Sequence, residues 1–156
     1  MRRSDREVRD AGRIGEILAS CKVCRLGLND DGAIYIVPMN YGYTWENGSL
    51  TLYVHCATAG RRLSVLAQNP RVGFEMDCGH ALTGEGDIPC QYSYRYASII
   101  GTGTVARLES AAEKISGLRC IMACQTDRDF AFTEDMVRGV AVLRLDATDF
   151  CCKEHM

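Results

Sequence analysis

Leu50-Thr51-Leu52-Tyr53-Val54-His55-Cys56-Ala57-Thr58-Ala59-Gly60-Arg61-Arg62-Leu63-Ser64-Val65-Leu66 changes periodicity halfway along. Its first half alternates leucine, tyrosine and β-branched residues, as a half-buried strand does; Leu63, Leu66 and Ala67 then follow at helical spacing. A strand therefore hands over to a helix across Ala57-Thr58-Ala59-Gly60. The first amides of that helix have no intrahelical partner, its dipole favours negative charge, and Arg61 and Arg62 add two cations. Gly60 lets the backbone approach an oxyanion and Thr58 offers a hydroxyl. The pattern predicts a phosphate seat; the alternative is a pair of solvated arginines at a helix start.

Working outward, Lys22 to Leu28 reads as a strand that turns at Asn29-Asp30-Asp31-Gly32 into a second one, Ala33 to about Tyr43. Pro38 marks a bulge or an edge in it, and Trp45-Glu46-Asn47-Gly48 turns the chain back toward His55. These three strands are expected to form a meander in which Pro38-Met39-Asn40-Tyr41 lies beside Tyr53 to His55. Ser4-Asp5-Arg6-Glu7 reads as a capping box opening a helix from about Asp5 to Ala19, within an N-terminal helical segment 1–20.

Downstream, Asn69-Pro70 ends the helix and Arg71 to Asp77 is a strand. Cys78 to Pro89 has the composition of an exposed loop. Gln91 to Leu108 is a long strand with Tyr92, Tyr94, Tyr96 and Ser98 on one face, a barrel wall or a dimer surface. A helix from Glu109 to Cys124, a short piece near Thr133 to Val137 and a strand Val140 to Leu145 complete the chain. The expected fold is mainly β with inserted helices: a small split β-barrel of about six antiparallel strands, one domain over residues 1–156.

The formal net charge of -2 argues against a nucleic-acid binder that works by bulk electrostatics, so an anion site must be local. No apolar run is long enough to span a bilayer and the N-terminus lacks the apolar core of a signal peptide; a cytoplasmic protein is expected. The 9 cysteines are odd in number and scattered, unlike a secreted disulfide framework. Cys21-x-x-Cys24 has the spacing of half a zinc site or of a redox motif, but Cys78-x-His80 does not complete it, and no metal site is expected. Cys120, Cys124, Cys151 and Cys152 read as packing or terminal residues.

Val37-Pro38-Met39-Asn40-Tyr41, the segment from Leu52 to Arg62, Asn69-Pro70-Arg71-Val72 and Tyr96-Ala97-Ser98-Ile99-Ile100-Gly101-Thr102-Gly103 together resemble the pyridoxamine 5'-phosphate oxidase-like FMN-binding split barrels. Within them the chain is most similar to the nitroimidazole-resistance type, from about Cys21 to Lys153. The resemblance implies a homodimer with FMN in clefts between subunits, the phosphate held by Arg61 and Arg62 with help from Thr58, Gly60 and the turn amides. It places Pro38, Met39, Asn40 and Tyr41 along the flavin ring, His55, Cys56 and Ala57 at its other edge, and Ser98 near it from the long strand. Cys56 departs from the small residue many relatives carry, and Cys151-Cys152-Lys153 departs from their common Thr-Gly-Lys ending.

His55 is the catalytic candidate, for electron or proton transfer beside the flavin; the competing reading is an imidazole that satisfies a hydrogen bond at a strand end. His80 and His155 are expected to be solvated. The implied activity is an FMN-dependent oxidoreductase, with NAD(P)H as a candidate donor and a nitroaromatic compound or quinone as acceptor. The alternative is a barrel that holds FMN, haem or a deazaflavin without turnover; the acidic tail of a deazaflavin calls for a broader basic surface than this chain has.

Overall fold

The computed structural model describes residues 3–156; Met1 and Arg2 of the expected N-terminal helical segment lie outside the described residues. The helix expected from Asp5 begins later. Ser4–Arg6 is a 3-10 turn, Glu7–Val8 a short strand (β1), and α1 spans Ala11–Ser20. Glu7 pairs with Arg9 at 2.6 Å, and β1 takes its backbone partners from the chain end, opposite Lys153 and Cys152. Asp10 caps α1 instead, its carboxylate accepting from the Arg13 amide at 2.7 Å, and Ile14, Ile17 and Leu18 form the buried stripe.

Among the described residues eight strands, where about six were expected, make one antiparallel sheet. After β1 come β2 (Cys24–Asp30), β3 (Ala33–Met39), β4 (Gly42–Glu46), β5 (Ser49–Cys56), β6 (Arg71–Thr83), β7 (Ser93–Arg107) and β8 (Ala141–His155). Asp31 and Gly32, with φ of 51° and 87°, close the β2–β3 hairpin; Asn47 and Gly48, at 50° and 81°, close β4–β5. Both are the two-residue turns that match strand twist.

The expected meander is broken between β3 and β4. Strand order is β3-β2-β6-β7-β8-β5-β4, which puts these two at opposite edges although only Asn40 and Tyr41 separate them. Three peptide steps reach about 11 Å at most. The sheet therefore curls until its edges nearly meet without a ladder between them, which is a split barrel. Pro38 lies on edge strand β3, where a missing N–H is tolerated.

Tyr41 sits at the break. Its side chain is fully buried and its hydroxyl reaches the carbonyls of Leu18 (2.8 Å) and Cys21 (3.2 Å), at the end of α1. A helix end needs such partners, and the Tyr41 backbone carbonyl in turn accepts from the Gln125 side-chain amide at 2.9 Å. Tyr41→Phe is expected to cost about 1–2 kcal/mol in urea denaturation, because it leaves buried carbonyls unpaired. A change under about 0.5 kcal/mol would show that this bond is not what anchors the link.

Two strands run past their apolar patterns. β6 continues through the segment expected to be a loop and pairs Ala81, Leu82 and Thr83 with Arg95, Tyr94 and Ser93, beyond a register shift at Cys78/Ala81. β8 continues past Leu145 because β7 pairs with it as far as His155; its Asp146 and Asp149 are exposed and mask the alternation. His80 is therefore in a strand, its Nε2 2.7 Å from Asp77, and the Nδ1 of His155 is 2.9 Å from the Tyr94 carbonyl. His80 stays exposed, as the sequence suggests, and His155 is half-buried, each with one polar neighbour.

The barrel interior is filled by residues such as Leu26, Leu52, Phe74, Met76, Ile99 and Leu145, with Ile17 and Leu18 packed on them. A smaller cluster, Leu108, Leu118, Ile121, Val137 and Val142, lies under α3 (Ala111–Thr126) and α4 (Glu134–Arg138). Ser110 and Glu113 form the capping box of α3. Among the described residues no helix is long and apolar enough to cross a membrane.

Candidate functional site

β5 ends at Cys56, and the chain turns through Gly60 into α2 (Arg61–Gln68). Gly60 has φ 133° and ψ 171°, a conformation that favours glycine, and no side chain caps the helix. The amides of its first turn stay open. Beside them is a cleft of about 190 Å³, lined by Cys56, Ala57 and Gly60 from the strand end and turn, by Arg61 and Arg62, and by Tyr35 across from them on β3.

The two arginines differ. Nε and Nη2 of Arg61 each stand 2.7 Å from one oxygen of Asp30, and the guanidinium lies over the Tyr35 ring, 4.3 Å from its centre. Nε of Arg62 is out of contact with solvent and has no hydrogen-bond partner among the described residues. Buried donors of this kind are seldom left unpaired. An anion at the helix start would pair it, and a phosphate group fits the donor set: one unpaired guanidinium, open helix amides and a glycine turn.

Of the residues expected to hold the cofactor, the structure brings Cys56, Ala57, Gly60, Arg61 and Arg62 together. Thr58 belongs to the same turn without lining the cleft. Pro38, Met39, Asn40 and Tyr41 do not line it. Tyr41 is fully buried, Met39 is buried, and the Asn40 side chain is tied to the Lys22 carbonyl (3.1 Å) and to Gln125 (3.3 Å). Pro38 and Met39 lie on β3 at the far edge of the sheet, whereas Tyr41 precedes the Gly42 that pairs with Tyr53 and so stays beside the Tyr53–His55 end of β5. His55, opposite Val142, is exposed and by strand alternation faces away from Cys56. Ser98 pairs with Asp77 and Lys153, toward the opposite end of β8 from the Ala141 that faces Cys56.

Sequence reasoning missed Tyr35, Asp30 and Leu63. Tyr35 was accessible by alternation, since Ile34 and Ile36 are exposed while Tyr35 and Val37 turn inward. Asp30 had no local signal beyond its place in a turn. Burial pushes the Cys24 thiol up to about 12 and raises that of Cys21 as well, Cys78 adding to the effect, so neither is a thiolate near neutral pH. Among the described residues no group of 3 or more His, Cys, Asp or Glu could hold a metal ion.

No curated protein matches the chain. A candidate 5-nitroimidazole antibiotic resistance protein from Bacteroides thetaiotaomicron is 32% identical, over 95% of this chain and 86% of that one, with a TM-score of 0.81. The flavocytochrome Anf3 from Azotobacter vinelandii shares the fold at 18% identity and a TM-score of 0.78, covering 100% of this chain and 72% of its own. A FAD and heme binding protein from Mycobacterium smegmatis does so at 18% identity and 0.77, covering 96% and 73%. The sequence model for pyridoxamine 5'-phosphate oxidase matches residues 10–153, so that nearly the whole sheet and the α2 cleft lie inside the match, and the chain belongs to the pyridoxamine 5'-phosphate oxidase family.

Proposed function

We propose that this chain is an FMN-dependent oxidoreductase that works as a homodimer and passes electrons from a reduced donor, NAD(P)H being a candidate, to a small acceptor such as a nitroaromatic compound or a quinone. The observation that carries the reading is the buried, unpartnered Nε of Arg62 beside the open amides of α2. FMN ends in a phosphate, which suits that donor set. The 32% identical relative, named for nitroimidazole resistance, supports the choice of acceptor class.

When bound, the flavin supplies the two-electron chemistry. The protein's part is placement: Arg62 and the α2 amides hold the phosphate, Tyr35 walls the cleft with an aromatic ring, and Cys56 and Ala57 lead from it along β5. The cleft is too small for a whole flavin. His55 and Ser98 therefore serve the ring only if a second copy brings them to it. The outer face of the sheet favours that copy. Ile36, Gly27, Gly73 and Thr102 form one cross-strand row and Pro38, Arg25, Glu75 and Ile100 the next, with Ile36 62% and Ile100 51% exposed. Glycines flatten this face and isoleucines make it sticky, which suits burial against its own mate. We place the protein in the cytoplasm, where its 9 cysteines, all free, stay reduced.

The visible spectrum after incubation with FMN and gel filtration tests the reading. Flavin absorbance eluting at dimer size, bleached by NADPH and restored by a nitroaromatic compound, is the expected result. His55→Ala should keep the flavin and slow the reoxidation. A protein that stays colourless with excess FMN defeats the proposal. The second reading, a flavin or haem holder without turnover, is favoured by the outward-facing His55; flavin that NADPH does not reduce, or a Soret band, would establish it.

A further inference from the structure

The Asp30–Arg61 contact has no role in the phosphate seat as described, and it uses the same guanidinium edge that a phosphate would need. Nε and Nη2 both point at one carboxylate oxygen, each 2.7 Å away. The Arg61 side chain is 60% exposed, whereas Asp30 is 28% exposed and its backbone is held at the last pair of the β2–β3 ladder, opposite Ala33. The turn beyond it is fixed by its two left-handed residues and by the Gly32 amide donating to Asn29 at 2.7 Å. The backbone that carries the carboxylate is therefore fixed beside the cleft.

We propose that Asp30 is a built-in competitor for the phosphate, a carboxylate that holds Arg61 and lowers the affinity of the α2 cleft for phosphate-bearing ligands. This rests on reading the cleft as a phosphate seat. A phosphate on Arg62 and the helix amides must either draw Arg61 off Asp30 or share it with the carboxylate, and in both cases it lies near a second negative charge. Arg61 thus contributes less to holding the ligand than Arg62 does, although the two are neighbours in sequence. The Tyr35 ring keeps the guanidinium at the cleft during the exchange. Asp30 acts chiefly on ligand release, because contacts that tighten a complex show mostly in its dissociation rate.

The test compares FMN with riboflavin, which lacks the phosphate, on the full chain by flavin fluorescence. Asp30→Asn is expected to bind FMN roughly three- to tenfold more tightly than the parent, with slower release. Riboflavin affinity should not change, and Asp30→Glu should stay within about twofold of the parent for FMN. Asp30→Ala provides a second neutral variant, and the melting temperature of each without ligand shows that it is folded. FMN affinity equal to or weaker than the parent's in both neutral variants overturns the role of Asp30. If instead the parent binds FMN no better than riboflavin, and Arg62→Ala leaves both unchanged, the phosphate seat itself is wrong and the inference falls with it.

Discussion

Arg62→Ala is expected to weaken FMN binding about a hundredfold while leaving the ligand-free protein at least as stable as the parent. The two halves of this result have one cause. A guanidinium nitrogen shut away from water without a partner destabilises the fold, so removing it relieves a cost; the same nitrogen, once a phosphate reaches it, forms a charge-assisted hydrogen bond in a sheltered place. Losing one partner of such a pair typically costs about 2–5 kcal/mol of binding, and a hundredfold is about 2.7 kcal/mol. Arg62→Lys should fall between, since it keeps the charge and loses the planar fork. Thermal unfolding with and without FMN reads both halves together: a ligand at a hundred times its dissociation constant adds about 2.7 kcal/mol to the parent, and this increment should fall to about 0.4 kcal/mol in the alanine variant. An arginine that merely braces the fold would give the reverse, a less stable protein with its FMN shift intact.

The part of this site that is legible in the sequence is the part that is local. The change from strand to helix between Leu50 and Leu66 is written in periods of two and about four residues, so the α2 start, Gly60 and the two arginines fall where the pattern puts them. Both hairpin turns are legible for the same reason, since Asp31-Gly32 and Asn47-Gly48 tolerate the left-handed backbone that a two-residue turn demands. Contacts made at long range leave no such trace. Tyr41 looks like one more strand residue until its hydroxyl is seen on the end of α1 and its carbonyl on Gln125, while Asn40 is tied to Lys22 and Gln125, all distant in sequence. Asp30 likewise reads as a turn residue, because its partner lies 31 positions away. The extra lengths of β6 and β8 stay hidden since pairing with β7, rather than apolar alternation, keeps their polar stretches extended.

Gly42→Ala is expected to be the most destabilising of these changes, by about 3 kcal/mol, because α3 rests directly on the strand at that point. A methyl group on Gly42 would overlap the backbone of Cys120 and Ile121, and backbone has no rotamer by which to step aside. The helix would have to lift as a body. In doing so it would pull Leu118 and Ile121 off Val142 and Leu108, and would draw Gln125 away from the Tyr41 carbonyl that it holds at 2.9 Å. Overpacking of a flexible side chain usually costs about 1–3 kcal/mol, and a rigid neighbour puts this case at the top of that range. For a chain of 156 residues the loss corresponds to roughly 6–12 °C in melting temperature. Gly139→Ala is the control: its φ of -85° suits any residue and an added methyl meets nothing within 4 Å, so it should melt within about 2 °C of the parent. Because α3 also fixes the Asn40–Tyr41 link that curls the sheet, the Gly42 variant should lose FMN affinity in step with its stability, whereas Arg62→Ala loses the affinity alone. Equal melting temperatures for the two glycine variants would mean that α3 does not lie against β4 as closely as described, and the account of what closes the barrel would have to be given up.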